Sequence, residues 1–206
     1  REYLPTASSF VDIHPAQPGY VAELAREGLF DTLTLVEPHF DAAALSDTAT
    51  TATLSELTPG SVDVAALLEV ADRTSDVDAL MAAVSSALKP GGLIFMTGVL
   101  ASGFDVQTLW EHAENIFPPD RLNAFTVEGW RTLVERHGLE PLEVSTPGVL
   151  DVEIVASALG RDSALELPRT TRYLLSRDVE TRRRFQRLLQ EELLSSLGRM
   201  VVRKRA

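Results

Sequence analysis

A chain of 206 residues fits one globular domain, and with 45% apolar and 24% charged residues it is too apolar for intrinsic disorder. A chain this long buries about 70% of its extended surface, so it needs no covalent staples. It contains no cysteine, which excludes disulfides, thiolate metal sites and cysteine nucleophiles. The net charge of −11 argues against general nucleic-acid binding, which needs a surplus of Lys and Arg. That charge is uneven: residues 182–206 carry +6 and residues 1–181 carry −17. The basic end reads as a solvated helix face, with docking of a polyanion as the alternative. No run approaches the roughly 18–20 apolar residues of a membrane span. No cationic leader precedes an apolar segment, so a cytoplasmic protein is expected. The first residue is Arg1 rather than Met, which reads as a processed chain or one domain of something longer.

In chain order, Ser9–His14 is a short apolar run ended by proline and predicts a buried strand. Tyr20–Glu27 has helical spacing with Gly28 as the stop, and Thr32–Glu37 alternates as a second strand closed by Pro38. Asp41–Leu57 allows one helical turn at Ala42–Leu45 and a weak strand at Thr50–Leu54. Val62–Glu69 is a strand running into a turn, and Val77–Leu88 is a helix ended by a Lys89-Pro90-Gly91-Gly92 turn. Leu93–Val99 follows as an apolar strand. Helices are expected at Val106–Ile116, before a Pro118-Pro119 stop, and at Val127–His137, capped by Thr126 and ended by Gly138. Then come a strand Leu139–Ser145, a helix Leu150–Leu159, a longer helix Asp178–Leu194 and a final strand Arg199–Lys204. Alternation of strands and helices predicts an α/β domain over residues 1–206, with a mostly parallel sheet covered on both faces.

In doubly wound sheets ligands bind outside the carboxyl ends of the strands. The first such loop runs Asp12-Ile13-His14-Pro15-Ala16-Gln17-Pro18-Gly19. Strand two ends in Glu37, 25 residues beyond Asp12. A carboxylate there can accept hydrogen bonds from both hydroxyls of a ribose, or can simply face water. No GxGxxG occurs in the chain, which disfavours a nicotinamide oxidoreductase. His14, His39, His112 and His137 show no metal-ligand spacing, so no metal site is expected.

The run Val62–Arg73 followed by Leu88-Lys89-Pro90-Gly91-Gly92 resembles the fourth strand and following turn of class I S-adenosylmethionine-dependent methyltransferases. Ser102-Gly103-Phe104-Asp105, Leu109-Trp110, Phe117–Asn123, Thr146–Val152 and Leu194–Met200 continue the likeness, in the manner of a bacterial branch of that family. The resemblance implies a Rossmann-like, doubly wound, seven-stranded sheet in the order 3-2-1-4-5-7-6, with an antiparallel last strand. It implies S-adenosylmethionine as cofactor, held by Asp12, His14, Ala16, Gly19, Glu37, Leu68 and Glu69. The acceptor is expected to be a small molecule or a glycan, and a hydroxyl acceptor would want a base, for which His14, His112 and Asp120 are the candidates. Trp110, Phe117 and Trp130 read as core or pocket wall.

Four departures from the family pattern accompany the likeness. The cofactor loop keeps one glycine and gains His14, Pro15 and Pro18, so a constricted pocket and weak cofactor binding are expected. Only 26 residues separate Glu37 from Asp63, so the second crossover is expected to be short and the adenine wall incomplete. Asp72-Arg73 stands where Glu-His is frequent, and the family's N-terminal lid helix is expected to be missing from this chain. Two functions follow: a working methyltransferase, or a methyltransferase-like module that serves as a scaffold or partner domain. A homo-oligomer or a fusion to another domain is compatible with either.

Overall fold

The computed structural model describes residues 3–4, 6–116 and 119–205. Seven strands form one sheet: β1 (Ser9–Ile13), β2 (Thr32–Val36), β3 (Thr50–Ala52), β4 (Val62–Leu68), β5 (Leu88–Val99), β6 (Leu139–Ser145) and β7 (Leu197–Lys204). Their order is β3-β2-β1-β4-β5-β7-β6. The first five pair in parallel, and β7 runs antiparallel to both β5 and β6. The expected topology is therefore the one observed. The crossover from β2 to β3 is short, as expected, with one 3₁₀ turn at Ala42–Leu45 in place of a helix.

Among the described residues seven α-helices surround the sheet: α1 (Pro18–Glu27), α2 (Val77–Ala87), α3 (Phe104–Leu109), α4 (Val127–Arg136), α5 (Asp151–Arg161), α6 (Arg169–Leu175) and α7 (Val179–Glu191). Strand alternation divides the core. Val11, Ile13, Ile94 and Met96 face α2 and α4, where Trp130 is fully buried among them. Phe10, Leu33, Leu35 and Val64 face the opposite way, onto Val21 of α1. A third cluster joins α3, α5, α6 and α7 through Leu109, Val155, Leu175 and Leu189. Helix starts follow local chemistry: Asp76, Thr126 and Asp178 each cap a helix by accepting a backbone N–H.

Four expectations need correction. Lys89-Pro90-Gly91-Gly92 does not form a turn before the strand; it lies inside β5 as an irregular bulge, since Val62 pairs with Leu88 and Val64 with Leu93. Gly91 takes the left-handed φ of +78° there, and Lys89 Nζ reaches back to Asp63 Oδ1 at 2.8 Å. The expected helix 106–116 ends at Leu109, because Trp110 adopts φ +48° and the chain passes into a 3₁₀ turn. Trp110 is not core but 70% exposed. Helix α6 was not anticipated, its arginine-rich sequence having little apolar period. Phe117 and the Pro118 stop lie outside the described residues.

The later motifs converge on one buried junction. Gln186 Nε2 donates to Asp151 Oδ2 at 2.6 Å, as does the Ser195 hydroxyl at 2.7 Å, while the Ser196 amide donates to Oδ1 at 2.6 Å. Leu100 N donates to Ser196 O and Phe104 N to Leu194 O, both at 2.7 Å. Burial pushes the Asp151 carboxyl up, but these donors outweigh it and hold the group below its usual range. Gly103 lies so close that a Cβ would stand 2.3 Å from Ser196 Cα. Gly103→Ala should thus cost about 2 kcal/mol or more, because backbone must move to admit the methyl. Gly160→Ala, whose Cβ meets nothing within 4 Å inside α5, should gain about 0.5–1 kcal/mol. Urea denaturation of both variants checks this; a Gly103→Ala protein as stable as wild type would refute the close-approach account.

Candidate functional site

Three adjacent strands end in the same way. His14, Glu37 and Glu69 follow the last residues of β1, β2 and β4, and each has a left-handed φ, of +49°, +47° and +59°. Such a conformation disfavours any residue with a Cβ. Each is held by a hydrogen bond to the next strand: His14 N to Val36 O at 2.8 Å, Glu37 N to Ala52 O at 3.0 Å, and Glu69 N to Thr97 O at 2.9 Å. The backbone thereby turns out of the sheet at three neighbouring points. Strained non-glycine residues of this kind concentrate at functional sites.

A cavity of about 500 Å³ opens between the first and third of these turns. His14, Ala16 and Gln17 line one side, Leu68, Glu69 and Arg73 the other, and His39 completes the wall. Its size suits a small ligand or cofactor. A larger cavity of about 580 Å³ opens at the opposite edge, where Ser9, Thr32 and Val62 begin their strands. The smaller cavity is the better candidate, because parallel α/β sheets present ligands at their carboxyl ends.

Of the residues expected at a cofactor, His14, Ala16, Leu68 and Glu69 line this cavity. Glu37 stands just outside it. Its carboxylate is 46% exposed, accepts from Leu54 N at 3.4 Å, and lies 3.7 Å from His14 Nδ1. The His14 and His39 rings stand 5.5 Å apart beside it. Gly19 is in the first turn of α1, with open space where a Cβ would go. Pro18 opens that helix at a position where the missing N–H costs no intrahelical bond. Of the expected bases, Asp120 is exposed and pairs with Arg73 at 3.1 Å. His112 lines a separate cavity with Arg161 and Leu165. Sequence reading missed His39 and Arg73, although both follow strand ends already marked as ligand loops.

Arg73 belongs to an ion network on the β4 side. Glu69 Oε2 accepts from Arg73 at 3.0 Å and from Arg121 at 2.9 Å, and Arg121 also pairs with buried Asp72. Removing Arg121 would leave Asp72 as an uncompensated buried charge. The network fixes the wall of the cavity that carries Glu69.

Asp12, also expected at a cofactor, does not line the cavity; it lies inside β1, two residues before the turn at His14. It is 1% exposed, and neither carboxylate oxygen has a partner among the described residues. Alternation with Phe10 places it on the α1 face of β1. Burial alone pushes its pKa up to about 7. The unfolded chain releases that proton near pH 4, so the folded state binds more protons between about pH 4 and 7 and loses stability as pH rises through that window. Asp12→Asn should match wild type near pH 4 and exceed it above pH 7 by on the order of 3–4 kcal/mol. Thermal unfolding across pH checks this, and a difference independent of pH would show that Asp12 is not the titrating group.

A family profile described as a methyltransferase domain matches residues 2–144. A search of the curated proteins finds no match. Among solved structures, the [4+2]-cyclase SpnF is 15% identical, covering 100% of this chain and 78% of its own, with a TM-score of 0.62. A candidate sarcosine dimethylglycine methyltransferase from Galdieria sulphuraria is 17% identical over 99% of this chain and 81% of its own, TM-score 0.58. The phosphoethanolamine N-methyltransferase 2 of Haemonchus contortus, solved with S-adenosyl-L-methionine, is 16% identical over 100% of this chain and 51% of its own, TM-score 0.63.

Proposed function

This chain belongs to the methyltransferase-domain family, and from that premise we propose that it transfers a methyl group from S-adenosylmethionine to a small-molecule or glycan-type acceptor. The single observation that carries the reading is the cavity at the carboxyl ends of β1 and β4, framed by the turns at His14 and Glu69. The residues present fit the cofactor. Asp12 offers a buried carboxylate that lacks donors, which an ammonium group would supply. Glu37 is half exposed and only loosely held, so its oxygens are free to take a ribose diol. Ala16 and Leu68 supply apolar wall.

When bound, the cofactor supplies an electrophilic methyl group on a sulfonium. The chain's part is then positioning: reacting atoms held at near-attack distance supply most of the acceleration. His14 and His39 line the cavity and are the imidazoles placed to take a proton from a hydroxyl acceptor. Arg73 and Glu69 present opposite charges to whatever enters.

A second reading is favoured by His14 itself. It occupies a left-handed position that glycine would fill without a ring, and that ring stands between the cavity and Glu37. On this reading the domain holds its fold without holding the cofactor and acts as a scaffold. Calorimetric titration with S-adenosylmethionine separates the two. The enzyme reading expects saturable binding that Glu37→Ala weakens at least tenfold, since a charge-assisted hydrogen bond contributes about 1.5–3 kcal/mol. Thermal stability of the variant should change little, because Glu37 packs no core. Absence of binding by the wild-type chain favours the scaffold; binding that Glu37→Ala leaves untouched places the ribose elsewhere.

A further inference from the structure

Helices α6 and α7 carry a charge opposite to the rest of the molecule. Residues 169–187 hold seven arginines against Asp178 and Glu180, a balance of +5 in a chain of −11. On α7, Val179, Arg182, Arg183, Gln186, Arg187 and Gln190 share one face at helical spacing. That face and the start of α5 enclose a groove of about 480 Å³. Gln186 and Gln190 form its floor and are engaged, donating to Gly148 O at 2.9 and 2.8 Å.

The arginines are far less engaged. Arg182 Nε is buried without a hydrogen bond and stands 3.5 Å from Glu153. Arg187 reaches Glu180 only at 3.4 Å. Among the described residues the Arg183 guanidinium has no ion pair or side-chain hydrogen bond. Beside them Val149, Leu150 and Val179 are 66%, 60% and 50% exposed. We propose that this groove docks an acidic peptide segment of a partner protein, one that alternates carboxylates with apolar side chains.

Three features select that occupant. Planar guanidinium forks match carboxylates bidentately, and clusters of arginines are a recurrent means of reading acidic motifs. A free anion would leave Val149, Leu150 and Val179 in water, whereas an amphipathic segment covers them. The surface is concave, which suits a peptide and not a planar bilayer. Nothing here depends on methyl transfer, because the groove shares no residue with the cavity at His14 and Glu69.

The test is fluorescence anisotropy of a labelled peptide built from alternating Glu and Leu pairs, titrated with the full chain at low salt and at roughly 0.5 M salt. Saturable binding is expected at low salt, weakened about tenfold or more by R183E/R187E and by the higher salt. R26E/R131E, which makes the same charge change on α1 and α4, should leave it unaltered, and Val179→Ser should weaken it several-fold. Circular dichroism checks that the variants remain folded. The proposal is overturned if the peptide does not bind, or if R26E/R131E weakens binding as much as R183E/R187E. It is equally overturned if inorganic phosphate competes as well as the unlabelled peptide, or if an oligonucleotide or phosphatidylserine vesicles bind the groove and the peptide does not.

Discussion

The backbone amide that each strand end gives to its neighbour is the constraint on which the site depends. At His14, Glu37 and Glu69 a residue with a Cβ is held left-handed, at about 1–2 kcal/mol each. One hydrogen bond apiece, to Val36, Ala52 and Thr97, offsets part of that cost. The parallel ladder supplies the rest, since β1, β2 and β4 are packed on both faces and their ends cannot relax independently. Relaxing one turn would return the chain to the plane of the sheet and close the crevice. Strain here is therefore the geometric condition for a cavity, and burial of the strands sustains it.

The other half of the carboxyl edge is organised by a buried charge. Asp151 gathers Gln186, Ser195 and the Ser196 amide, while Gly103 lets the loop after β5 lie directly on Ser196. Asp105, fully buried nearby, is raised by burial and by the Asp151 charge, against the opposing pull of hydrogen bonds from Ser196, Val106 and Asn115, the last at 2.8 Å. This junction fixes how α5 and α7 meet the sheet. It also explains why the motifs at Gly103, Gly148–Asp151 and Ser195–Gly198, far apart in the chain, belong to one pattern: they are the parts of a single joint.

Much of the fold was legible because its strands are buried. Leu93–Met96 is a continuous apolar run, and Phe10–Ile13 and Leu33–Val36 are apolar but for Asp12 and Thr34, each segment lying beside Pro or Gly, a form that solvated elements rarely take. The candidate site was legible as far as its loops: His14 and Glu37 were marked by their place after strand ends, whereas Asp12, expected to open the first loop, lies inside β1. Their conformation was not. A left-handed His or Glu has no local signature, since propensity assigns that region to glycine, and only the neighbouring strand enforces it. The bulge at Lys89–Gly92 was hidden for a related reason: Pro-Gly-Gly reads as a turn until Asp63 and β4 hold it in the ladder. Helix α6 and the groove on α7 were invisible as shapes, because charge can be read along the chain but concavity cannot.

The proposed ligand site lies between the three strand-end turns. The most direct measurement is backbone-amide NMR of the full chain titrated with S-adenosylhomocysteine. The largest shifts should fall at His14 and Gln17, at Glu37 and His39, and from Leu68 to Ser75, with the amino-edge residues Ser46–Thr50 unmoved. Shifts confined to the amino edge, or none at saturating ligand, would contradict it.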